Sequence, residues 1–296
     1  LENIAVISTN QPFSFSECYH FLACSPNEVL HIAENGCIRK LLKINNKLVL
    51  FELNEGGNEG IEVKILSQNA DENIANEIQK YVKQWLDLDT DLSLFYALAE
   101  NDVVLRLLVK KYAGLRLIGI NDLFEAITWA IIGQQINLNF AYKLKKRWIE
   151  QFGESLEFEG KRYFLHPDFH IATENDYEDL LKMQFSKQKA EYVIRVAQCF
   201  QGGEISFEKL QKMSFEEAKN TLCKIKGIGN WTANYALMKS LRFPQAFPME
   251  DVGLHNALKN QLNLSQKPTL SEIKRLAENW KNWESYATFY LWRSLI

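Results

Sequence analysis

No stretch of about 18 uncharged apolar residues occurs in the 296-residue chain, which argues against a membrane-spanning helix. The N-terminus lacks a basic segment followed by an apolar run, so no secretory signal is expected. The five cysteines (Cys18, Cys24, Cys37, Cys199 and Cys223) are odd in number, scattered, and free of any CxxC pair. That excludes a zinc ribbon and leaves a four-cysteine iron–sulfur cluster without its ligand run. Reduced thiols in a cytosolic protein are the expectation. Histidine is equally sparse. His20, His31, His166, His170 and His255 form no HExxH or related cluster, so no divalent catalytic metal is expected. Low-complexity linkers and fixed-period repeats are also missing.

What is present is ordinary in bulk, with 47% hydrophobic and 24% charged residues, as in globular domains. The length exceeds one usual domain, so two or three compact units are expected. A net charge of −3 argues at first against a nucleic-acid binder. The charge is unevenly spread, however. Residues 1–110 carry 9 Lys+Arg against 16 Asp+Glu, whereas residues 111–296 carry 25 against 21. Any nucleic-acid contact therefore belongs to the C-terminal part, through a local patch.

The pattern changes along the chain in the same place. Leu48–Leu53 and Ile61–Ile65 are β-prone runs flanking a Gly- and Asn-rich loop, Asn54 to Gly60, and predict a hairpin. Asp71 to Leu86 has helical spacing, which makes residues 1–110 a small α+β domain. From about Asn121 the pattern is almost entirely helical, and residues 111–296 are expected to form a helical region in two lobes. Helices are predicted from Asn121 or Asp122 (as cap) to Ile136, and over Phe140–Gln151, Phe185–Phe200, Ala218–Ile225, Asn230–Leu241 and Asp251–Leu262. Ser214 with Glu217 and Thr269 with Glu272 have capping-box spacing. A final helix is predicted over Glu284–Leu295. Lys143, Lys145, Lys146 and Arg147 are either a solvated helix face or a DNA-facing patch.

The most informative stretch is Leu222 to Tyr235. One helix ends at Ile225, Gly227 and Gly229 turn the chain tightly, and the next helix starts at once. The free amides of that new N-terminus suit an anion such as a backbone phosphate, and Lys224 and Lys226 add positive charge beside it. On the glycines alone, an ordinary connection between two helices fits better. Asp251 has a similar ambiguity: after Phe247-Pro248 it begins a helix, where an Asp is often only a cap.

The joint pattern is more specific. Leu222-x4-Gly227-Ile228-Gly229-x-Trp231-Thr232-Ala233-x-Tyr235, then Phe247-Pro248-x-x-Asp251, resembles the helix-hairpin-helix–Gly-Pro-Asp superfamily of base-excision DNA glycosylases. Within it the chain is similar to the bacterial 3-methyladenine DNA glycosylase II family. Phe124-Glu125 through Ala130-Ile131-Ile132-Gly133-Gln134-Gln135 match as well, as does the terminal Trp280-Lys281-x-Trp283 to Trp292 stretch. The match covers about Leu115 to Ile296. Residues 1–110 fit the family's N-terminal domain by length and pattern only.

The resemblance implies a monofunctional hydrolase that releases alkylated purines of the 3-methyladenine and 7-methylguanine type from duplex DNA and leaves an abasic site. It makes Asp251 the catalytic carboxylate and assigns Trp231, Tyr235 and Trp292 to the base pocket. Bifunctional members carry a lysine two residues after the second hairpin glycine, where this chain has Trp231, so no Schiff base is expected. It assigns DNA contacts to Lys226, Gly227, Gly229 and Asn230, and the wedge that fills the emptied stack to Gln135, where the Escherichia-type enzyme has leucine. No cofactor is required. A structural Na or K ion is implied on the main-chain carbonyls of Cys223, Ile225 and Ile228. A monomer in the bacterial cytoplasm, associated with the nucleoid, is expected. The alternatives are an oxidised-purine (8-oxoguanine) glycosylase, against which Trp231 counts, and a non-catalytic damage-sensing module, which would not need Asp251.

Overall fold

The computed structural model describes residues 4–9, 12–57, 60–67, 72–174 and 177–296. The first unit comprises β1 (Ile4–Ile7), α1 (Phe15–Leu22), β2 (Ile32–Glu34), β3 (Cys37–Ile44), β4 (Lys47–Glu55), β5 (Ile61–Ile65) and α2 (Glu72–Trp85). Its strands form one antiparallel sheet in the order β1-β5-β4-β3-β2. The predicted hairpin is the β4–β5 pair, and the predicted helix is α2; Asp71, its expected first residue, lies outside the described residues.

β4 is buried on both faces, for a reason set by the period of two. Val49, Phe51 and Leu53 point into the main core. Leu48 and Leu50 point the other way, into a separate apolar cluster with Leu41, Leu156, Phe158 and Tyr163. The cover for that second face is a two-stranded ribbon, β6 (Ser155–Phe158) and β7 (Lys161–Phe164), supplied by the C-terminal part. Arg39 joins it to Glu159 at 2.7 Å, and Lys43 to Glu154 at 2.6 Å.

This ribbon corrects the expectation of an almost wholly helical C-terminal part. Its signal was Glu159-Gly160 between alternating residues: both central residues have positive φ, 51° and 73°, as a tight two-residue hairpin requires.

The helical region comprises α3 (Ser93–Glu100), α4 (Leu105–Lys111), α5 (Leu123–Gly133), α6 (Leu138–Phe152), α7 (Phe169–Glu174), α8 (Tyr177–Lys182), α9 (Lys187–Gln201), α10 (Phe207–Gln211), α11 (Phe215–Cys223), α12 (Asn230–Lys239), α13 (Val252–Gln261), α14 (Leu270–Ala277) and α15 (Glu284–Arg293). α5 packs on α6, α9 and α12, whereas α4 and α13 pack on α15. Asp122 caps α5, and both predicted capping boxes form. The aromatic C-terminus is mainly core. Trp280, Tyr286 and Tyr290 are buried, each with its polar tip satisfied: Trp280 Nε1 donates to Asp102 at 3.0 Å, Tyr286 Oη to Asp87, and Tyr290 Oη to the Leu115 carbonyl at 3.0 Å.

Candidate active site

Asp251 is the N-cap of α13: its Oδ1 accepts the Leu254 N–H at 2.8 Å. A cap needs only that bond. This carboxylate receives two more, from indoles far away in sequence. Trp292 Nε1 donates to Oδ1 at 2.8 Å, and Trp231 Nε1 donates to Oδ2 at 3.1 Å. Both oxygens are thus held by neutral donors, which fixes the carboxylate plane without cancelling its charge. Gly253 makes room for the arrangement, because a Cβ there would lie 2.9 Å from Asp251 Oδ1 and 3.4 Å from the Trp292 ring.

The approach to Asp251 is held just as tightly. Asn234, on α12, donates to the Asn230 carbonyl at 2.9 Å and accepts the Phe247 N–H at 2.9 Å. His255 Nε2 is 2.8 Å from the Met249 carbonyl, and Asp251 N–H closes a turn on Pro248 O. Glu250, the neighbouring carboxylate, is turned away and accepts from Asn230 Nδ2 at 2.7 Å. Sequence reasoning missed Asn234. Its only signal is a polar residue on a helix face that is otherwise buried.

The three predicted pocket aromatics come together beside this carboxylate. The Tyr235 ring lies 5.6 Å from that of Trp231 and 5.9 Å from that of Trp292, all three half-buried. Burial pushes the Tyr235 phenol above its ordinary value, so it stays neutral. A flat apolar ring entering here would meet aromatic faces, with a carboxylate at one edge.

The hairpin sits at the start of the same helix α12. Ile225 and Ile228 are buried and anchor it, while Lys224, Lys226, Gly229 and Asn230 are exposed. Gly229 is the N-cap of α12 and provides no side-chain cap, in contrast to α11 and α13 on either side. The first amides of α12 therefore keep no capping partner and can accept an anion. Gly227 has φ 106°, and a Cβ there would lie 2.3 Å from the Tyr192 ring, so both conformation and space require glycine.

Gln134 and Gln135 separate into different roles. Gln134 Nε2 donates to the Gly227 carbonyl at 3.0 Å and to Thr232 Oγ1 at 2.9 Å, clamping the α5–α6 loop to the hairpin. Gln135 is exposed, with φ 55°, and borders a cleft of about 690 Å³ shared with Lys189, Tyr192, Lys226 and Gly229. Of the basic run on α6, Lys145 is not on a solvated face, as one reading of the sequence had it. It is buried and paired with Glu28 at 2.9 Å. Lys146 pairs with Glu150, and Arg147 donates to Gln184 at 2.5 Å.

Among the described residues no cluster of His, Cys, Asp and Glu could hold a metal ion. The carbonyls of Cys223, Ile225 and Ile228 lie on the hairpin, and that of Ile225 already accepts the Ile228 N–H at 3.0 Å. Neutral carbonyl donors of this kind fit a hard monovalent ion, with one lone pair of Ile225 O left over.

A family model described as the HhH-GPD superfamily base excision DNA repair protein matches residues 128–282. A second, the 8-oxoguanine DNA glycosylase N-terminal domain, matches residues 8–127. The chain is 42% identical to a DNA-3-methyladenine glycosylase of Bacillus subtilis over 297 residues, 100% of this chain and 98% of the relative. It is 30% identical to DNA-3-methyladenine glycosylase 2 of Escherichia coli over 60% of each. In fold it is similar to a 3-methyladenine DNA-glycosylase from Archaeoglobus fulgidus (TM-score 0.83, 24% identity, 97% of each chain). It is also similar to an 8-oxoguanine glycosylase/lyase of Clostridium acetobutylicum solved with double-stranded DNA (TM-score 0.76, 19% identity, 98% of this chain and 97% of that one).

Proposed function

The chain belongs to the HhH-GPD superfamily of base excision DNA repair proteins, and from that premise we propose how it acts as an alkylpurine DNA glycosylase. The observation that carries the reading is Asp251, a carboxylate gripped by two indoles at the edge of an aromatic recess. The target nucleotide leaves the stack to reach such a recess. N-alkylated purines carry positive charge, and ring faces attract cations by about 0.5–2 kcal/mol. As the base departs with the bonding electrons of the C1′–N bond, the sugar becomes oxocarbenium-like. The Asp251 carboxylate stabilises that charge and orients water, whose oxygen bonds to C1′ as its proton is released. The products are the free base and an abasic site.

Trp231 occupies the position at which bifunctional members present an amine, and it carries no nucleophile. The strand therefore remains intact. The match of residues 8–127 to an 8-oxoguanine glycosylase domain concerns a part without Trp231 or Asp251, and does not favour oxidised purines.

Residues 1–110 act as scaffold, and residues 111–296 hold DNA and catalyse. The uncapped amides of α12, with Lys226, Gly227, Gly229 and Asn230, receive a phosphate of duplex DNA; Gln135 fills the emptied stack. The carbonyls of Cys223, Ile225 and Ile228 hold a Na or K ion that screens the same phosphate; no other cofactor is needed. The protein works as a monomer on nucleoid DNA in the bacterial cytoplasm. Among the described residues no helix is long and apolar enough to cross a membrane.

The test uses separate duplexes bearing 3-methyladenine, 7-methylguanine, hypoxanthine or 8-oxoguanine, scored for base release and for strand breaks with and without alkali. Release of alkylated bases with breaks only after alkali is expected. A borohydride-trapped protein–DNA adduct would contradict the monofunctional reading.

A further inference from the structure

Trp292 and Trp231, which hold the two oxygens of Asp251, stand on different helices, α15 and α12. The plane of the carboxylate therefore depends on how those two helices are held. Trp292 lies in the last turn of α15, where the final carbonyls have no partner within the helix and fraying begins. A hydrogen bond aimed from such a turn needs support from outside the helix.

That support comes from α1, in the N-terminal unit. Arg293, the residue after Trp292, donates to Glu17 Oε2 from Nε at 3.0 Å, and its Nη2 lies 2.9 Å from the same oxygen. The guanidinium carbon is also 4.6 Å from the Tyr112 ring centroid. The two side chains are 11% and 21% exposed, so salt screens the pair little. Each charge stands at the helix end that favours it, Glu17 in the first turn of α1 and Arg293 in the last turn of α15. One turn further along α1 and one turn back along α15, Phe21 meets Phe289 with ring centroids 4.5 Å apart. Glu17 with Phe21, and Phe289 with Arg293, are thus two i,i+4 pairs that face each other.

The same face of α1 reaches the other helix. Lys239, at the end of α12 and about two turns beyond Trp231, places Nζ 5.3 Å from the Phe21 ring centroid and 4.8 Å from that of Phe289. It donates to the Ile118 carbonyl, so the tip of the side chain is fixed between a ring of α1 and a ring of α15. α1 is itself tied down at its start: the Ser14 N–H donates to the Gly114 carbonyl at 2.9 Å, and Ser14 Oγ accepts the Glu17 N–H at 3.2 Å.

Resting on the reading of Asp251 as the reactive carboxylate of a glycosylase, we propose that α1 braces the active site, with Glu17 a positioning residue that acts through Arg293 to keep the Trp292 indole on Asp251. The pair holds the last turn of α15 in helical form, and the indole N–H stays aimed at Oδ1. Without it the turn frays, Trp292 leaves the carboxylate for part of the time, and Asp251 turns out of the plane that faces the sugar. The N-terminal unit thereby acts on the chemical step and not on the hold on DNA.

The experiment is single-turnover release of hypoxanthine and 3-methyladenine from duplex DNA by the unaltered protein, Glu17→Ala, Arg293→Met and the two combined, each also in a Trp292→Phe background. Glu17→Ala and Arg293→Met are each expected to slow both lesions about three- to tenfold, and together no more than either alone, because either one breaks the pair. In the Trp292→Phe background, where no indole N–H remains to be positioned, the same changes alter the rate by less than about twofold. Affinity for a duplex holding a tetrahydrofuran abasic analogue stays within about twofold of the parent. Unchanged rates, an equal loss in the Trp292→Phe background, or weakened binding to the abasic duplex overturns the proposal. A parent protein that releases neither base, or an Asp251→Asn variant that keeps full activity, overturns instead the reading on which it rests.

Discussion

The starts of α5 and α13 look alike and do different work. Each opens with an Asp whose carboxylate accepts the N–H three residues on, Asp122 from Glu125 at 2.7 Å and Asp251 from Leu254 at 2.8 Å. Asp122 is held by backbone N–H groups of its own helix and faces His166 by charge alone, whereas Asp251 is half-buried and also held by the side chains of Trp231 and Trp292. The helix cap is thus the ground plan, and what turns it into a reaction centre is the pair of indoles. One lies 20 residues before Asp251 and the other 41 after it. The cap fixes one oxygen against the helix; the indoles fix the plane.

The largest effect is expected where the two starts differ most. Asp251→Asn preserves the cap geometry but removes the charge that faces C1′. Base release is expected to fall by about a thousandfold or more, while affinity for abasic-analogue DNA stays within about twofold of the parent. Quench-flow or gel assays of base release, with fluorescence anisotropy for binding, measure both. Full activity in this variant would remove Asp251 from the mechanism.

The same contrast explains what could be read in the sequence. Helix boundaries, both capping boxes and the Gly227–Gly229 turn were legible because each rests on residues within one turn of one another. Asp251 was legible as a cap, and became a candidate acid only through the family pattern around it. Trp231, Tyr235 and Trp292 were placed by that pattern too. The indole N–H bonds and Asn234 beneath the Phe247 loop were not, since each depends on segments brought together by packing. Lys145 was misread for the same reason: its partner, Glu28, lies 117 residues away. The β6–β7 ribbon shows the reverse case, in which a local signal (Glu159-Gly160) was present but lay inside a helical stretch.

The two starts also differ in what acid does to their supports. The Asp251 carboxylate itself rests on indoles, which do not titrate. α5 carries Glu125, near Lys145 and Glu28, and Glu28 adjoins His31. Burial, outweighing the Glu28 carboxylate, lowers His31 to about 4, so the ring is neutral in the folded chain. A base lowered on folding favours the fold fully above its unfolded value near 6.5, and that contribution is lost as pH falls towards 4. Glu28 is lowered to about 2: burial opposes, but Lys145, joined by His31 once acid protonates its ring, holds the carboxylate ionised, so its contribution is lost only below about 4.5. Burial lowers His166, which faces Asp122, to about 4 as well, so unfolding free energies from urea titrations should drop below pH 6.5 through both histidines, by up to about 3 kcal/mol each over the full window. His31→Gln should reduce the slope of that part of the profile by about half, leaving the share of His166. An unchanged slope would mean that His31 is not held neutral.

Removing one indole donor at a time is a finer probe. Trp231→Phe and Trp292→Phe each keep an aromatic ring but lose a hydrogen bond to a charged oxygen, worth about 1.5–3 kcal/mol. The single-turnover rate should fall about ten- to hundredfold, with abasic-analogue binding within about threefold. The double variant should fall short of the product of the two, because a carboxylate released by one indole is already free to rotate. Weakened binding with an unchanged rate would place these indoles in DNA contact rather than in orienting Asp251.

The smallest effect belongs to the plain cap, and it tests whether the comparison is sound. Asp122→Ala loses one side-chain bond at an exposed N-terminus, where a cap is worth about 1 kcal/mol. Thermal or urea denaturation should register that loss. Base release should stay within about twofold of the parent, since no indole ties Asp122 to the recess. A large loss of activity here, with only the expected change in stability, would mean that the start of α5 also governs the reaction. The contrast between a bare cap and an oriented carboxylate would then have to be redrawn as one between two parts of a single site.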